Sequence, residues 1–582
     1  MTNLKQKLEL TWIGKDKRAR LEPRIFIEDK TLSYKVQQVT TDANVAFNDN
    51  MLIHGDNLLA LKALETSHSQ SVNFIYIDPP FNTGGAFEHY DDGVEHSIWL
   101  SLMKQRLEIL HSLLHETGSI IVNLDDGEMA YCKVLMDEIF GRQNYITTIV
   151  VEAATSSSFK TANTGPVDVN QYLLFYAKNK SKLKFKPQYK VKEQVDLQHF
   201  SRFIVNPEAP CNEWVFKGIN EHILEELGYK SGSIQSRWIK IKDDLGDTAT
   251  SLVRQKANLF AIENAYRVFE TKTLQKPSPY LKDKIEESKN IEFPLHVPRE
   301  SYDDLFLLKG RQIYFLKNSI GEVDGVKGAI LPLTTLWNDI PTNNLQREGG
   351  VSFPSGKKPE LLIRRLLEMT TDEGDVVLDS FAGSGTTAAV AHKMRRKWIT
   401  IEIGEQAYTH VAPRLRAVID ESDTAGVSSL YNWKGGGFRY VRLAPSLLKK
   451  DEWGNWVINK EYNAEMLAEA VCKHMGFIYA PSQTQFWNHG YSTETDHIYV
   501  TTGSLAYEQL KRISEEVGSE RTLLICCKAF MAEGADFPNL TLKKIPKVIL
   551  NKCEWDHDDY SFTLNVLPEE QDEEWADDDS EE

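Results

Sequence analysis

Over the first 180 residues, short apolar runs alternate with amphipathic stretches. NMLIH (50–54) is a compact apolar run, Gly-Asp-Asn follows it, and LLALKALE then repeats its leucines at helical spacing. VNFIYI (72–77) is a second buried-strand candidate, so this stretch reads strand, helix, strand, the unit from which parallel sheets are built. The same reading predicts a long helix over 97–115, a strand over 119–124, a helix over 128–140, and strands over 145–151 and 172–177, with a Ser/Thr-rich loop over 154–165. From 181 to 330 the periodicity breaks up, and Gly, Pro and aromatic residues interleave with Lys and Arg; this reads as a separate inserted domain. Regular α/β patterning resumes with a helix over 359–369, a strand over 376–379, a Gly-rich turn, a helix from Thr386 and a strand over 398–403. NWKGGGFRY (432–440) marks the exit from this core, and a last set of alternating elements up to about 566 forms a small C-terminal α/β domain.

A chain of 582 residues holds three or four domains at ~150 residues each. Its 41% hydrophobic and 26% charged residues are those of an ordinary globular protein. No stretch approaches the ~18 uninterrupted apolar residues of a membrane span, and the expected location is cytoplasmic, away from membranes. Six cysteines without a CxxC pair disfavour a zinc site and a disulfide framework, and no histidine spacing suggests a metal. The net charge of -17 argues against a nucleic-acid partner only until it is located. Ten acids fall in residues 569–582 with no base among them, a self-repelling tail expected to be disordered; residues 1–440 carry -3, and 181–330 carry +3.

Two short segments carry the chemistry. In VVLDSFAGSGTTAAV (376–390) a strand ends at Asp379 and a Gly-rich turn leads into a helix, which lets backbone approach a ligand at the carboxyl end of a strand. Glu402 ends the next strand, nineteen residues after Gly383, at the spacing of an acid that accepts hydrogen bonds from a ribose diol. No Lys-Ser/Thr follows the glycines, and Thr386 and Thr387 stand where a dinucleotide fingerprint has its third glycine, so a ribose-bearing cofactor without a pyrophosphate fits better than NAD. The alternative is a turn that only packs a helix on a sheet. In IYIDPPFNTGG (76–85) an apolar strand ends at the acceptor Asp78, Pro79 and Pro80 stiffen the turn, and Phe81 offers a planar face. A plain strand-terminating turn is the bland reading there.

Taken together, DPPF (78–81) resembles the catalytic tetrapeptide, and DSFAGSGTT (379–387) the AdoMet-binding motif, of AdoMet-dependent amino-methyltransferases of DNA. The catalytic motif comes first, which resembles the circularly permuted β-class arrangement of a Rossmann-like α/β sheet with a target-recognition domain inserted between the motifs. LELTWIGKDKRARLEPR (8–24), HGDNLLALKAL (54–64) and WKGGGFRY resemble the modification subunits of type III restriction systems.

The resemblance implies a domain plan: an N-terminal arm (1–45), a catalytic half (46–184), the target-recognition domain (185–330), an AdoMet-binding half (331–444), the C-terminal α/β domain (445–567) and the acidic tail (568–582). It also implies residue roles. Asp78 and the Pro79 carbonyl would accept the hydrogens of the target amino group, and Phe81, on the turn stiffened by Pro80, would stack on a flipped-out base. Transfer would be a direct in-line displacement. Asp-first tetrapeptides go mostly with N6-adenine; Phe81 replaces the commoner Tyr. Glu402 would bind the ribose and Asp56 the adenine amino group of AdoMet, while Asp379, Phe381, Gly383, Gly385 and Thr386 wrap its remainder. Lys358, Pro359 and Glu360 would line the same pocket, with a solvated helix-start charge as the alternative for Lys358, and Trp337 is either a family position or a core tryptophan.

Recognition would fall to basic residues that include Lys182, Lys186, Lys240, Lys242, Arg254, Lys256 and Arg267. The expected function is N6-adenine methylation of double-stranded DNA by a type III modification subunit, a homodimer partnered by a helicase-nuclease restriction subunit. N4-cytosine or orphan methylation, or a recognition module with incidental methylation, are the alternatives. Cys211, the Cys526-Cys527 pair and the acidic run 556–559 are set aside as a chance Pro-Cys, strand packing and a solvated turn.

Overall fold

The computed structural model describes residues 9–35, 50–81, 92–154, 166–299, 303–341, 345–351, 353, 357–531 and 536–560. The chain divides into two units, Met1–Lys186 with Thr335–Glu582, and Pro187–Thr334. In the first, ten strands build one mixed sheet. In chain order they are β1 (Phe26–Glu28), β2 (Asn50–His54), β3 (Val72–Ile77), β4 (Leu114–Leu124), β5 (Tyr145–Glu152), β6 (Asn170–Ala177), β7 (Leu336–Trp337), β8 (Val376–Asp379), β9 (Lys397–Glu402) and β10 (Phe438–Leu443). Side by side they run β1-β10-β2-β9-β8-β3-β4-β6-β5-β7. The six from β10 to β4 are parallel, and β6 returns antiparallel between β4 and β5. Parallel strands are covered on both faces, which is why β2 and β3 read as continuous apolar runs.

The helices that matter to the site are α1 (Asn57–His68), α2 (Asp92–Leu113), α3 (Asp126–Met136), α4 (Glu360–Thr370), α5 (Thr386–Lys393) and α6 (Ala412–Ile419). Leu58, Leu61 and Leu64 of α1 pack with Met103, Leu107 and Leu110 of α2 over Ile75, Ile77, Ile120 and Val122. At ~25 cal/mol per Å2 of apolar surface, each such fully buried leucine stabilises the fold by roughly 2 kcal/mol. α2 stops at Leu113, short of the expected end, because Leu114 already pairs with Val72. α3 is also shorter than expected and closes in a π-helical turn, Asp137–Gly141. The expected loop at 154–165 lies, apart from its first residue, outside the described residues, as does the acidic tail.

From β8 the chain passes through α5 to β9 on one side, and from β3 through α2 to β4 on the other. β8 and β3 are neighbours, with Val377 opposite Phe74 and Leu378 opposite Ile75. The crevice at their carboxyl ends is therefore a topological switch point, where open α/β sheets accept ligands.

The segment 9–35 and the C-terminal part complete this unit. Trp12 donates to Ser101 Oγ on α2 at 2.8 Å, and the buried Glu22 accepts from Leu447 N and Ser446 Oγ, both at 2.8 Å. Arg24 reaches the Ala444 carbonyl at 2.7 Å and Asp558 at 2.6 Å, which ties one residue of the exposed acidic run 556–559 to the segment. The C-terminal part has a five-stranded sheet flanked by helices Ala464–Met475 and Tyr507–Val517.

The second unit is more regular than its sequence pattern suggests. It contains helices Ile219–Glu226, Ile234–Leu245, Thr248–Glu263 and Pro279–Lys289, a six-stranded sheet and a three-stranded one. Helix Thr248–Glu263 buries Ala249, Val253, Ala257 and Ala261, a stripe of small residues one position wide, and Ile234–Leu245 buries only Ile241. Stripes that narrow leave almost no hydrophobic period to read. No described helix is long and apolar enough to cross a membrane, and no metal-ligand cluster occurs among the described residues.

Candidate active site

The strand ends around the switch point open into a cavity of about 950 Å3, lined by Asp56, Tyr76, Asp78, Pro79, Pro80, Phe81, Gln171, Lys358, Asp379, Ser380, Phe381, Gly383, Thr386 and Glu402, among others. Every residue singled out from the sequence as catalytic lines it, and so do the cofactor candidates except Gly385, Pro359 and Glu360, the last of which is buried against Lys393 and Arg414. The N–H of Phe381 donates to Asp379 Oδ1 at 2.9 Å, and that of Gly383 to Glu402 Oε2 at 2.8 Å. These bonds curl the turn after β8 back over the ends of β8 and β9. Gly385 turns behind the wall with φ +78, and a Cβ there would stand 2.9 Å from Val411 Cγ1, so only glycine fits where α5 begins.

Asp56 begins α1 as its N-cap, Oδ1 accepting the Leu59 N–H at 3.0 Å. Its Oδ2 accepts the N–H of Tyr560 at 3.0 Å and lies 3.6 Å from Arg106, whose own pKa burial lowers to about 10. β9 and β2 pair in register, Glu402 opposite His54, which brings the two acids Asp56 and Glu402 onto adjacent strand ends. Burial raises the pKa of Glu402. Burial also pushes Asp379 up to about 7, with Asp78 and Glu402 adding repulsion.

At the other end of the cavity Asp78 is engaged on both oxygens: Oδ1 accepts from Asn123 Nδ2 at 2.8 Å, and Oδ2 lies 3.1 Å from Lys358 Nζ. Lys358, assigned from the sequence to the cofactor pocket, thus reaches the Asp78 end of it, 5.3 Å from the centre of the Phe81 ring. The turn is fixed from outside by Trp99, whose Nε1 donates to the Pro80 carbonyl at 3.0 Å. Trp337 is a buried core tryptophan under Arg365.

Sequence reasoning missed several residues. Asn123, Gln171 and Trp99 lie inside β4, β6 and α2 with no motif around them. Tyr76 and Ser380 line the cavity, and their buried hydroxyls have no hydrogen-bond partner among the described residues. The strand position of Tyr76, two before Asp78, was the one available signal. Orphaned polar atoms on a cavity wall await a polar ligand. Together with the open space around Gly383 Cα and the acceptor Glu402, they suit a ribose- and amino-acid-bearing molecule. Of the basic residues proposed for recognition, Lys182 pairs with Glu116, Lys186 with Asp372, and Arg267 with Asn264; Lys240, Lys242, Arg254 and Lys256 are exposed.

A DNA methylase family profile matches residues 72–412, more than half of the chain. The chain is 36% identical over 422 residues to the Haemophilus influenzae protein named "Probable type III restriction-modification enzyme HindVI Mod subunit", covering 68% of this chain and 54% of that one. It is 27% identical over 442 residues to the EcoPI Mod subunit of Escherichia phage P1, covering 67% and 61%, and 25% identical over 510 residues to the EcoP15I Mod subunit of Escherichia coli, covering 77% and 73%. The chain thus spans little more than half the length of the first two of these relatives. On the profile match, which runs from the strand before Asp78 to beyond Glu402, the chain belongs to the DNA methylase family.

Proposed function

We propose that the protein transfers a methyl group from AdoMet to the N6 amino group of an adenine flipped out of double-stranded DNA. The observation that carries this is the meeting of two strand ends at one crevice: Asp78 with its Pro-Pro-Phe turn, and the Asp379–Glu402 region, line a single cavity. In the permuted reading the catalytic half precedes the cofactor half, and the second unit, between them in sequence, is the target reader. AdoMet supplies an electrophilic methyl carbon when bound. Glu402 has lone pairs left for the ribose hydroxyls after accepting Gly383 N and Gly404 N. Gly383, Thr386 and Phe381, which line the cavity, would hold the methionine part, and Asp56 would face the adenine.

An adenine amino nitrogen is a poor nucleophile because its lone pair is delocalised into the ring. Acceptance of its two hydrogens by Asp78 and the Pro79 carbonyl draws it toward pyramidal geometry and aims the lone pair at the methyl carbon. Phe81 stacks on the extruded base. AdoMet held there would give up its methyl carbon to the nitrogen in line and depart as the neutral thioether, and the nitrogen would release one proton through the Asp78 carboxylate to solvent.

The likeness to Mod subunits supports placement in a type III modification system, as a homodimer assembling with a helicase-nuclease restriction subunit in the cytoplasm. Unmodified DNA incubated with the protein and AdoMet, then mapped by single-molecule sequencing, tests the reading. N6-methyladenine at one short sequence is expected, lost in Asp78→Ala, which still binds AdoMet. N4-methylcytosine, or no modified base, overturns it.

A further inference from the structure

Four side chains close a ring at the Asp78 end of the cavity. Asn123 Nδ2 donates to Asp78 Oδ1 at 2.8 Å and to Gln171 Oε1 at 3.0 Å, while Lys358 Nζ lies 3.1 Å from Asp78 Oδ2 and donates to the same Gln171 oxygen at 3.0 Å. The sheet dictates this arrangement. Ile77 is opposite Val122, so the residues that follow, Asp78 and Asn123, stand abreast; β6 lies on the far side of β4 and brings Gln171 alongside. Asn123 is fully buried, and both hydrogens of its amide are used. Its Oδ1 is left buried with no partner among the described residues, while the amide N–H groups are turned toward Asp78 and Gln171.

The Lys358 ammonium occupies two features at once: a carboxylate oxygen of Asp78 and the neighbourhood of the Phe81 ring. Under the proposed function these are the groups that take the hydrogens of the target amino group and the face of the base. An N–H donor on a flexible four-carbon stem therefore sits where the N–H donor of the substrate must go.

We infer that Asn123 and Gln171 are positioning residues for Asp78, and that the Lys358 ammonium holds the place of the target amino group until the base displaces it. Gln171 is the pivot. It orients Asn123 on one side and, as a neutral acceptor, leaves Lys358 free to depart on the other.

The inference rests on the proposed reaction, so the wild type is the reference in its test. Single-turnover transfer of tritiated methyl from AdoMet to unmodified DNA is measured for wild type, Gln171→Leu, Gln171→Glu and Lys358→Met, with AdoMet binding followed by calorimetry. Gln171→Leu should slow transfer by about 10- to 100-fold with AdoMet affinity within about threefold of wild type. Gln171→Glu keeps the acceptor and should restore the rate, but half-saturation by DNA should rise severalfold because a second carboxylate holds the lysine. Lys358→Met should lower half-saturation by DNA and leave AdoMet affinity unchanged.

Wild-type transfer rates in Gln171→Leu would overturn the inference and leave the reaction standing. So would a loss of AdoMet affinity of about tenfold or more in Lys358→Met, which would make the lysine a cofactor ligand. A wild type that makes no N6-methyladenine overturns the reaction and the inference with it.

Discussion

Arg414 on α6 joins the buried carboxylate of Glu360 to the turn at the start of α5: Nη2 donates to Glu360 Oε1 at 2.8 Å, and Nη1 to Thr386 Oγ1 at 2.7 Å. Lys393 meets the other oxygen of Glu360 at 2.7 Å, and all three charged side chains are excluded from solvent. Room for the guanidinium comes from Gly349, where a Cβ would lie 2.3 Å from Arg414 Nε. A buried carboxylate that loses one of two cations is costly. Arg414→Met should destabilise the fold by about 3–5 kcal/mol and also weaken AdoMet binding, because Thr386 loses its anchor. Unfolding midpoints and calorimetric titration with AdoMet check both halves; an unchanged AdoMet affinity in a destabilised variant would confine the network to structure.

Glu402 separates cofactor binding from fold in the opposite sense. It accepts two N–H groups from its own turn, Gly383 and Gly404, and presents its remaining lone pairs to the cavity. Glu402→Gln keeps the shape and an acceptor for one glycine, but replaces a charged acceptor with a neutral amide. AdoMet affinity should fall by about 10- to 100-fold, since hydrogen bonds to a carboxylate contribute about 1.5–3 kcal/mol. Calorimetry on the purified variant reads this directly, and an affinity within about threefold of wild type would remove Glu402 from the cofactor site.

Trp99 addresses the turn rather than the carboxylate. Its indole donates to the Pro80 carbonyl at 3.0 Å, and the prolines offer no N–H of their own to fix the loop. Trp99→Phe removes the donor and keeps much of the packing. It should lower the rate of methyl transfer by about tenfold at unchanged AdoMet affinity, because loosening the Pro80 peptide shifts the adjoining Pro79 carbonyl by a fraction of an ångström from the amino hydrogen it is proposed to accept. Equal losses in rate and in AdoMet affinity would point to general loosening of α2.

What the sequence made legible follows a physical rule. Asp78, Asp379 and Glu402 each end a short apolar strand just before a turn, and such an acid lies at the carboxyl edge of a parallel sheet wherever that strand is placed. Asn123, Gln171 and Tyr76 come from strand positions whose neighbours are set by sheet order, which local pattern does not contain. Asp56 is shown as the cap of α1 only by the structure, and the donor to its second oxygen, Tyr560, comes from the far end of the chain. Lys358, read from the sequence as a pocket residue or a solvated helix-start charge, lies beside Asp78, since a lysine before Pro-Glu says nothing about which carboxylate it will meet. Helix Thr248–Glu263 escaped because a stripe that is mostly alanine buries a helix without marking it as apolar.

Asp379 gives the site a pH signature. Burial pushes its carboxyl up to about 7, against 3.8 for an ordinary aspartate. The folded protein therefore keeps a proton there that the unfolded chain has already released, and the stability contributed by the protonated form is lost as pH rises from about 4 to about 7. Over that window the loss amounts to roughly 4 kcal/mol, at about 1.4 kcal/mol per pH unit. Asp379→Asn keeps an oxygen for the Phe381 N–H and cannot ionise. The unfolding midpoint of the wild type, measured against that of the variant, should drop between pH 5 and pH 8, with most of the change complete near pH 7. Parallel midpoints across this range would mean that the folded protein releases the Asp379 proton as readily as the unfolded chain.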